Sequence, residues 1–271
     1  MNESEELRDH ALRILAAGLA GVDPERVVVE ALADEPILSE WSHAIAGTAP
    51  ATPLGGGTSA DGRTRVVAVG KAAAGMLRGA LRVLGDAVDE GVLLMPGSRT
   101  TERPSWLPPG IRVHAAGHPL PDEGGVAGAR DILRVVEGRG LRDRLLVLIS
   151  GGGSALLTLP APGLTLEQLR ETTRILLEAG VPIREMNAVR ARLEVLKGGG
   201  LARAAHPSRV LAYLISDVVG DDPAVMSRSC EGAGCGRSFP VRSGADWRRP
   251  ASRRRGRAPG AAGKPSQDGS R

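Results

Sequence analysis

Residues 145–157, LLVLISGGGSALL, run five apolar side chains into a serine, three glycines and a second serine. Gly151, Gly152 and Gly153 carry no Cβ, so their N–H groups can turn toward an anion without steric conflict. Ser150 and Ser154 add hydroxyl donors. A buried strand that empties into such a loop suits a phosphate cradle, and phosphate implies a nucleotide or a phosphoryl group. The same pattern by itself also fits a tight strand-to-helix turn. It is neither a Walker A loop nor the dinucleotide GxGxxG, and the HRD and DFG motifs of protein kinases are missing from the chain.

Other residues that could do chemistry fall at comparable places. Gly70-Lys71 follows the apolar stretch RVVAV and opens a helical pattern. A cation is disfavoured at a helix N-terminus, and a bound phosphate would remove that conflict. His118, in GHPLPDE, is either a ligand contact or a buried turn histidine. Asn187 and Arg190 stand three apart and share a helix face, which can equally be a solvated one. Lys197 precedes Gly198, Gly199 and Gly200. Asp217, Asp221 and Asp222, in SDVVGDDP, read as caps of a polar turn, as carboxylates for Mg²⁺ or as acceptors of a hydroxyl proton. Cys230 and Cys235 are two thiols, too few for a structural zinc site.

Alternating elements must position these residues. Apolar spacing predicts helices at 5–19, 25–32, 72–84, 126–136, 165–179 and 183–196, with Thr165 as an N-cap and Gly180 as a stop. Short apolar runs predict strands at 65–69, 91–95, 111–115, 145–149 and 210–215. The order is that of an α/β fold, a doubly wound, mostly parallel, Rossmann-like sheet with helices on both faces. In such sheets ligands gather at the carboxyl ends of the strands, which is where Lys71, His118, Asp122, the glycine loop, Asp217 and Asp221 fall.

Composition bounds the rest. The chain has 271 residues, with three Trp, one Tyr and one Phe, so its core is aliphatic. No stretch approaches the ~20 apolar residues of a membrane span. The acidic start MNESEELRDH lacks a signal-peptide apolar region, and a cytoplasmic enzyme without a membrane partner is expected. The net charge of +4 hides an asymmetry. Residues 228–271 hold eleven Arg/Lys and three Asp/Glu, a balance of +8, and leave residues 1–227 at −4. That tail contains no Leu, Ile or Met and a single Val, too little apolar surface to offset its ordering entropy, so disorder is expected there.

The segments VAVGKAAAGM, GHPLPDEGG, LISGGGSALL, EMNAVR, LKGGGLA and LISDVVGDDP, in this order, resemble bacterial glycerate 2-kinase, the class II glycerate kinase type whose members are often labelled hydroxypyruvate reductase. The likeness runs from about residue 5 to about residue 226. It implies an N-terminal α/β domain at 1–227, with the family's smaller second domain absent. It also implies phosphoryl transfer from Mg-ATP to the 2-hydroxyl of D-glycerate, so that glycerate and ATP are the expected small-molecule partners and ATP and Mg²⁺ the expected cofactors. By resemblance Lys71 neutralises phosphate charge, with Gly70 beside it, and Ser150–Ser154 cradle a phosphate or carboxylate. His118, Asn187, Arg190 and Lys197 face the same cleft, and Asp217 and Asp221 serve the metal or the attacking hydroxyl.

Two departures stand out. Glu194 occupies the position where the family has Ser ahead of its lysine-glycine run. After Ser227 the text turns into SCEGAGCGRSF, and an Arg/Gly/Ala/Pro-rich tail is what a GC-rich gene gives when read out of frame, so a frameshift near codon 227 is expected. The alternatives are an oxidoreductase acting on hydroxypyruvate, a non-catalytic fragment, and a nucleic-acid binder using the RRRGR tail. The acidic body argues against the last, and no specific nucleic-acid partner is expected.

Overall fold

The structure, a computed structural model, describes residues 3–33, 62–97 and 103–215. Asp217, Asp221, the boundary at 227 and the basic tail lie outside the described residues. Five strands form one sheet: β1 (Thr64–Val69), β2 (Val88–Pro96), β3 (Ile111–Ala116), β4 (Arg144–Ser150) and β5 (Arg209–Ile215). Their order is β3-β2-β1-β4-β5, and every pairing is parallel. β1 and β4 are buried at every position, as strands covered on both faces must be.

Strand periodicity divides the core in two. Val67, Val69, Leu145, Val147, Ile149, Ala212 and Leu214 point to one face and pack under α4 (Glu123–Val136) and α8 (Gly200–Ala205). Their neighbours Val66, Ala68, Leu146, Leu148, Leu211 and Tyr213 point to the other, under α2 (Pro24–Ala33) and α3 (Ala73–Leu84). α1 (Glu3–Gly21) exposes Leu7, Leu12, Ile14 and Leu15.

Three more helices follow β4 and flank its carboxyl end: the single turn α5 (Gly153–Leu156), α6 (Leu166–Glu178) and α7 (Ile183–Leu193). Thr165 opens α6 in a capping box with Gln168, each side chain bonding the other's backbone N–H. Asp122 caps α4 by accepting from Gly125 N at 2.9 Å, and it also accepts from Gly117 N at 2.6 Å, which fixes the turn that carries His118. The helix expected over 183–196 stops at Leu193, because Glu194 turns extended and pairs antiparallel with Pro160.

The amino end of the sheet is closed by charges. Asp143 accepts from Arg63 N and Gly140 N, both at 2.8 Å, and lies 3.4 Å from the buried Arg65 guanidinium. Arg65 Nε donates to Glu90 at 2.8 Å, and Thr64 N donates to Asp89 at 2.7 Å.

Candidate functional site

β1 and β4 are neighbours in the sheet, yet their following connections lead to opposite sides, so a crevice opens between their carboxyl ends. Both ends are shaped by glycine. Gly70 has φ +126°, and a Cβ there would sit 2.3 Å from Ser150 Oγ. The two strand exits can therefore touch only with glycine at 70. Lys71 N donates to Gly151 O at 2.9 Å, and Ala72 N donates to Ser150 Oγ at 2.9 Å. α3 has no cap from its own Ala72 side chain, so the Ser150 hydroxyl takes over that task from the neighbouring strand.

Gly152 has φ +80°, and a Cβ there would meet His118 Cδ2 at 3.2 Å and Lys71 Cε at 3.4 Å. Three segments far apart in sequence thus converge on one backbone position. They form one wall of a cleft of about 270 Å³. The opposite wall is α6 and α7, through Thr173, Leu177, Ile183, Met186, Asn187 and Arg190. No carboxylate lines this cleft among the described residues. Its described charged side chains are cationic, which suits an anion with an apolar part.

Arg190 is buried, with Nε donating to Glu194 Oε1 at 3.1 Å and Nη2 to Ser154 O at 2.9 Å. Lys197 lies behind the cleft wall rather than in it. Its Nζ donates to Glu194 Oε2 at 2.7 Å and to Leu157 O at 2.5 Å. Burial pulls Lys197 down to about 8, with the Arg190 charge adding to the effect and Glu194 opposing it.

Of the residues expected at the site, Lys71, His118, Ser150–Ser154, Asn187 and Arg190 line one cleft, and Gly70 underlies it. Lys197 does not line it, because the early end of α7 sends residues 194–197 back along the loop instead of round the helix. Among the described residues no group of three or more His, Cys, Asp or Glu could hold a metal ion, and Asp217 and Asp221 lie beyond them. Sequence reasoning missed the apolar wall of Leu177, Ile183 and Met186. It also noted Glu194 only as a departure from the family's Ser, although its spacing to Arg190 (i,i+4) and Lys197 (i,i+3) was the signal for a paired cluster.

Comparison with known proteins places this geometry. Residues 10–229 match the model described as domain of unknown function DUF4147. D-glycerate 2-kinase of Thermotoga maritima is 34% identical over 221 residues, covering 82% of this chain and 46% of the relative. An Agrobacterium vitis protein provisionally named hydroxypyruvate reductase is 43% identical over 164 residues, covering 60% of this chain and 41% of the relative. The crystal structure of glycerate kinase from Thermotoga maritima superposes with a TM-score of 0.67 at 34% identity, covering 83% of this chain and 48% of that one. The chain thus spans a little under half the length of these relatives. No described helix is long and apolar enough to cross a membrane. With most of its length matched by the family model, the chain belongs to the DUF4147 family, and it is similar in sequence and fold to glycerate kinases.

Proposed function

We propose that this domain supplies the anion-binding half of a kinase that transfers the γ-phosphoryl group of ATP to the 2-hydroxyl of D-glycerate. The observation that carries the reading is the convergence of Lys71, Gly152 and His118 at the switch point of the sheet, in a cleft lined by cations and by no described carboxylate. Phosphoryl transfer depends on positioning and on stabilising charge, and a backbone cradle with a lysine beside it provides both. In the reaction the glycerate 2-oxygen bonds to the γ-phosphorus, the bond to the ADP oxygen breaks, and the hydroxyl proton passes to a base.

Lys71 and the backbone of Gly151–Ser154 hold phosphate oxygens in this reading, and the residual donors of Arg190 meet a phosphate or the glycerate carboxylate. Leu177, Ile183 and Met186 offer aliphatic surface to the less polar part of the nucleotide. Mg²⁺, which neutralises triphosphate charge when bound, falls to Asp217 and Asp221. Ile215, the last described residue of β5, is in register with Ser150 at the same sheet edge. Either carboxylate is also a candidate for the base.

The test is equilibrium binding of ATP to the full chain, followed by an assay of a full-length relative carrying this domain, with product identified by phosphorus NMR. Binding of ATP, weakened about thirtyfold in Lys71→Met, and formation of 2-phosphoglycerate are expected. NADH consumption with hydroxypyruvate in the absence of ATP would overturn the reading in favour of an oxidoreductase.

A further inference from the structure

The segment from Glu194 to Lys197 lies outside the cleft, yet it is wired to the loop that forms the cleft floor. Val195 N donates to Leu159 O at 2.8 Å, and Ala161 N donates to Leu193 O at 2.8 Å. These bonds flank the Pro160–Glu194 bridge and run the two segments side by side. The Glu194 side chain is wholly enclosed, and each of its oxygens takes one cation, Arg190 on Oε1 and Lys197 on Oε2.

Each cation then uses a second donor on the loop. Arg190 reaches Ser154 O, and Lys197 reaches Leu157 O. Ser154 and Leu157 lie at the start and the end of α5, the single turn that follows the glycines. Without the carboxylate, two cations would share one buried pocket, where their repulsion is poorly screened. Lys197 would then keep the Leu157 carbonyl only as a neutral amine, a weaker donor than the ammonium.

We propose that Glu194 is a positioning residue for the glycine loop: its buried carboxylate gathers Arg190 and Lys197 into one cluster that pins both ends of α5, and with them the backbone of Gly151–Ser154. The structural part stands on the contacts alone, and its consequence for affinity rests on the phosphate reading of the loop. Glu194 touches no ligand. It acts through Arg190, which belongs both to the cluster and to the cleft lining.

The experiment measures two quantities on the full 271-residue chain. One is amide hydrogen exchange of peptides spanning 150–157 against those from β1 and β2, and the other is ATP affinity by equilibrium dialysis. In Glu194→Gln, exchange in 150–157 is expected to rise at least tenfold, with β1 and β2 unchanged and ATP affinity down about tenfold. Glu194→Asp, which keeps the charge, is expected to recover most of both. Should Glu194→Gln fail to fold, the charge-balanced pair Glu194→Met with Lys197→Met replaces it, and a loosened 150–157 is again expected. Wild-type protection of 150–157 in the folded variant overturns the proposal, as does loosening spread evenly over the sheet. If wild type binds no ATP while exchange behaves as expected, the positioning role stands and the phosphate reading falls. If wild type binds ATP and the variant keeps both loop protection and affinity, the positioning role falls and the phosphate reading stands.

Discussion

The two ends of the sheet begin from the same backbone chemistry and finish differently. At the amino end the chain's own side chains answer the strand termini: Asp143 takes two backbone N–H groups and a guanidinium, and Glu90 takes the rest of Arg65. Burial pushes the Asp143 carboxyl up, but the Arg63 and Gly140 N–H groups and the Arg65 charge outweigh it and hold the group below its usual range. At the carboxyl end the strand exits are packed by glycine, and no described carboxylate lines the cleft, the Glu194 partner of Arg190 lying behind its wall. One end is closed on itself and serves stability. The other keeps positive charge facing a cavity and serves a ligand.

The largest way to break this contrast is Gly70→Ala. A Cβ at φ +126° against Ser150 combines backbone strain with overpacking, about 4 kcal/mol together. Thermal melts should show that loss, and ATP binding should vanish with it. Asp143→Asn is the matching change at the closed end. It leaves the buried Arg65 with Glu90 as its remaining acid, at about 3 kcal/mol, while ATP affinity of the folded protein stays at the wild-type value. Because the folded carboxyl is depressed, its contribution is present above the usual carboxylate range and lost as pH falls through the folded pKa. Wild type should therefore lose more stability than Asp143→Asn on acidification in urea melts.

Lys71→Met should do the reverse, lowering ATP affinity about thirtyfold, close to 2 kcal/mol, with the melt unchanged. An equal fall in stability would mean that the lysine is structural and the contrast misdrawn. The smallest effect belongs to Lys197. Its folded pKa of about 8 lies below the usual lysine value of 10.5, so between these values the unfolded chain holds more protons than the folded one. Stability from this group rises with pH across that window, by about 1 kcal/mol from pH 7 to pH 9, and Lys197→Met should lack the rise.

The closed end and the open end were not equally legible in the sequence. All five strands were readable, and β1 and β4 most plainly, because burial on both faces leaves an uninterrupted apolar signal. Lys71, His118 and the glycine loop were readable as strand-end residues, since a parallel sheet delivers every such position to one edge. The ion pairs of the amino end were not, because Arg65, Glu90 and Asp143 are scattered along the chain and only strand order brings them together. α5 and α8 were missed because a helix of four or six residues carries too few apolar repeats to show a period. Lys197 was misplaced for a related reason: the helical pattern of 183–196 continues in the sequence past the residue where the bridge to Pro160 ends the helix.

The aliphatic make-up of the cleft has a practical result. None of its described lining residues is Trp, Tyr or Phe, Tyr213 is buried in the sheet, and Trp106 belongs to the connection between β2 and β3. Among the described residues, ligand capture therefore has no intrinsic emitter at its side. Leu177→Trp or Ile183→Trp, at exposed positions on the cleft mouth, would give the site a fluorescence signal of its own.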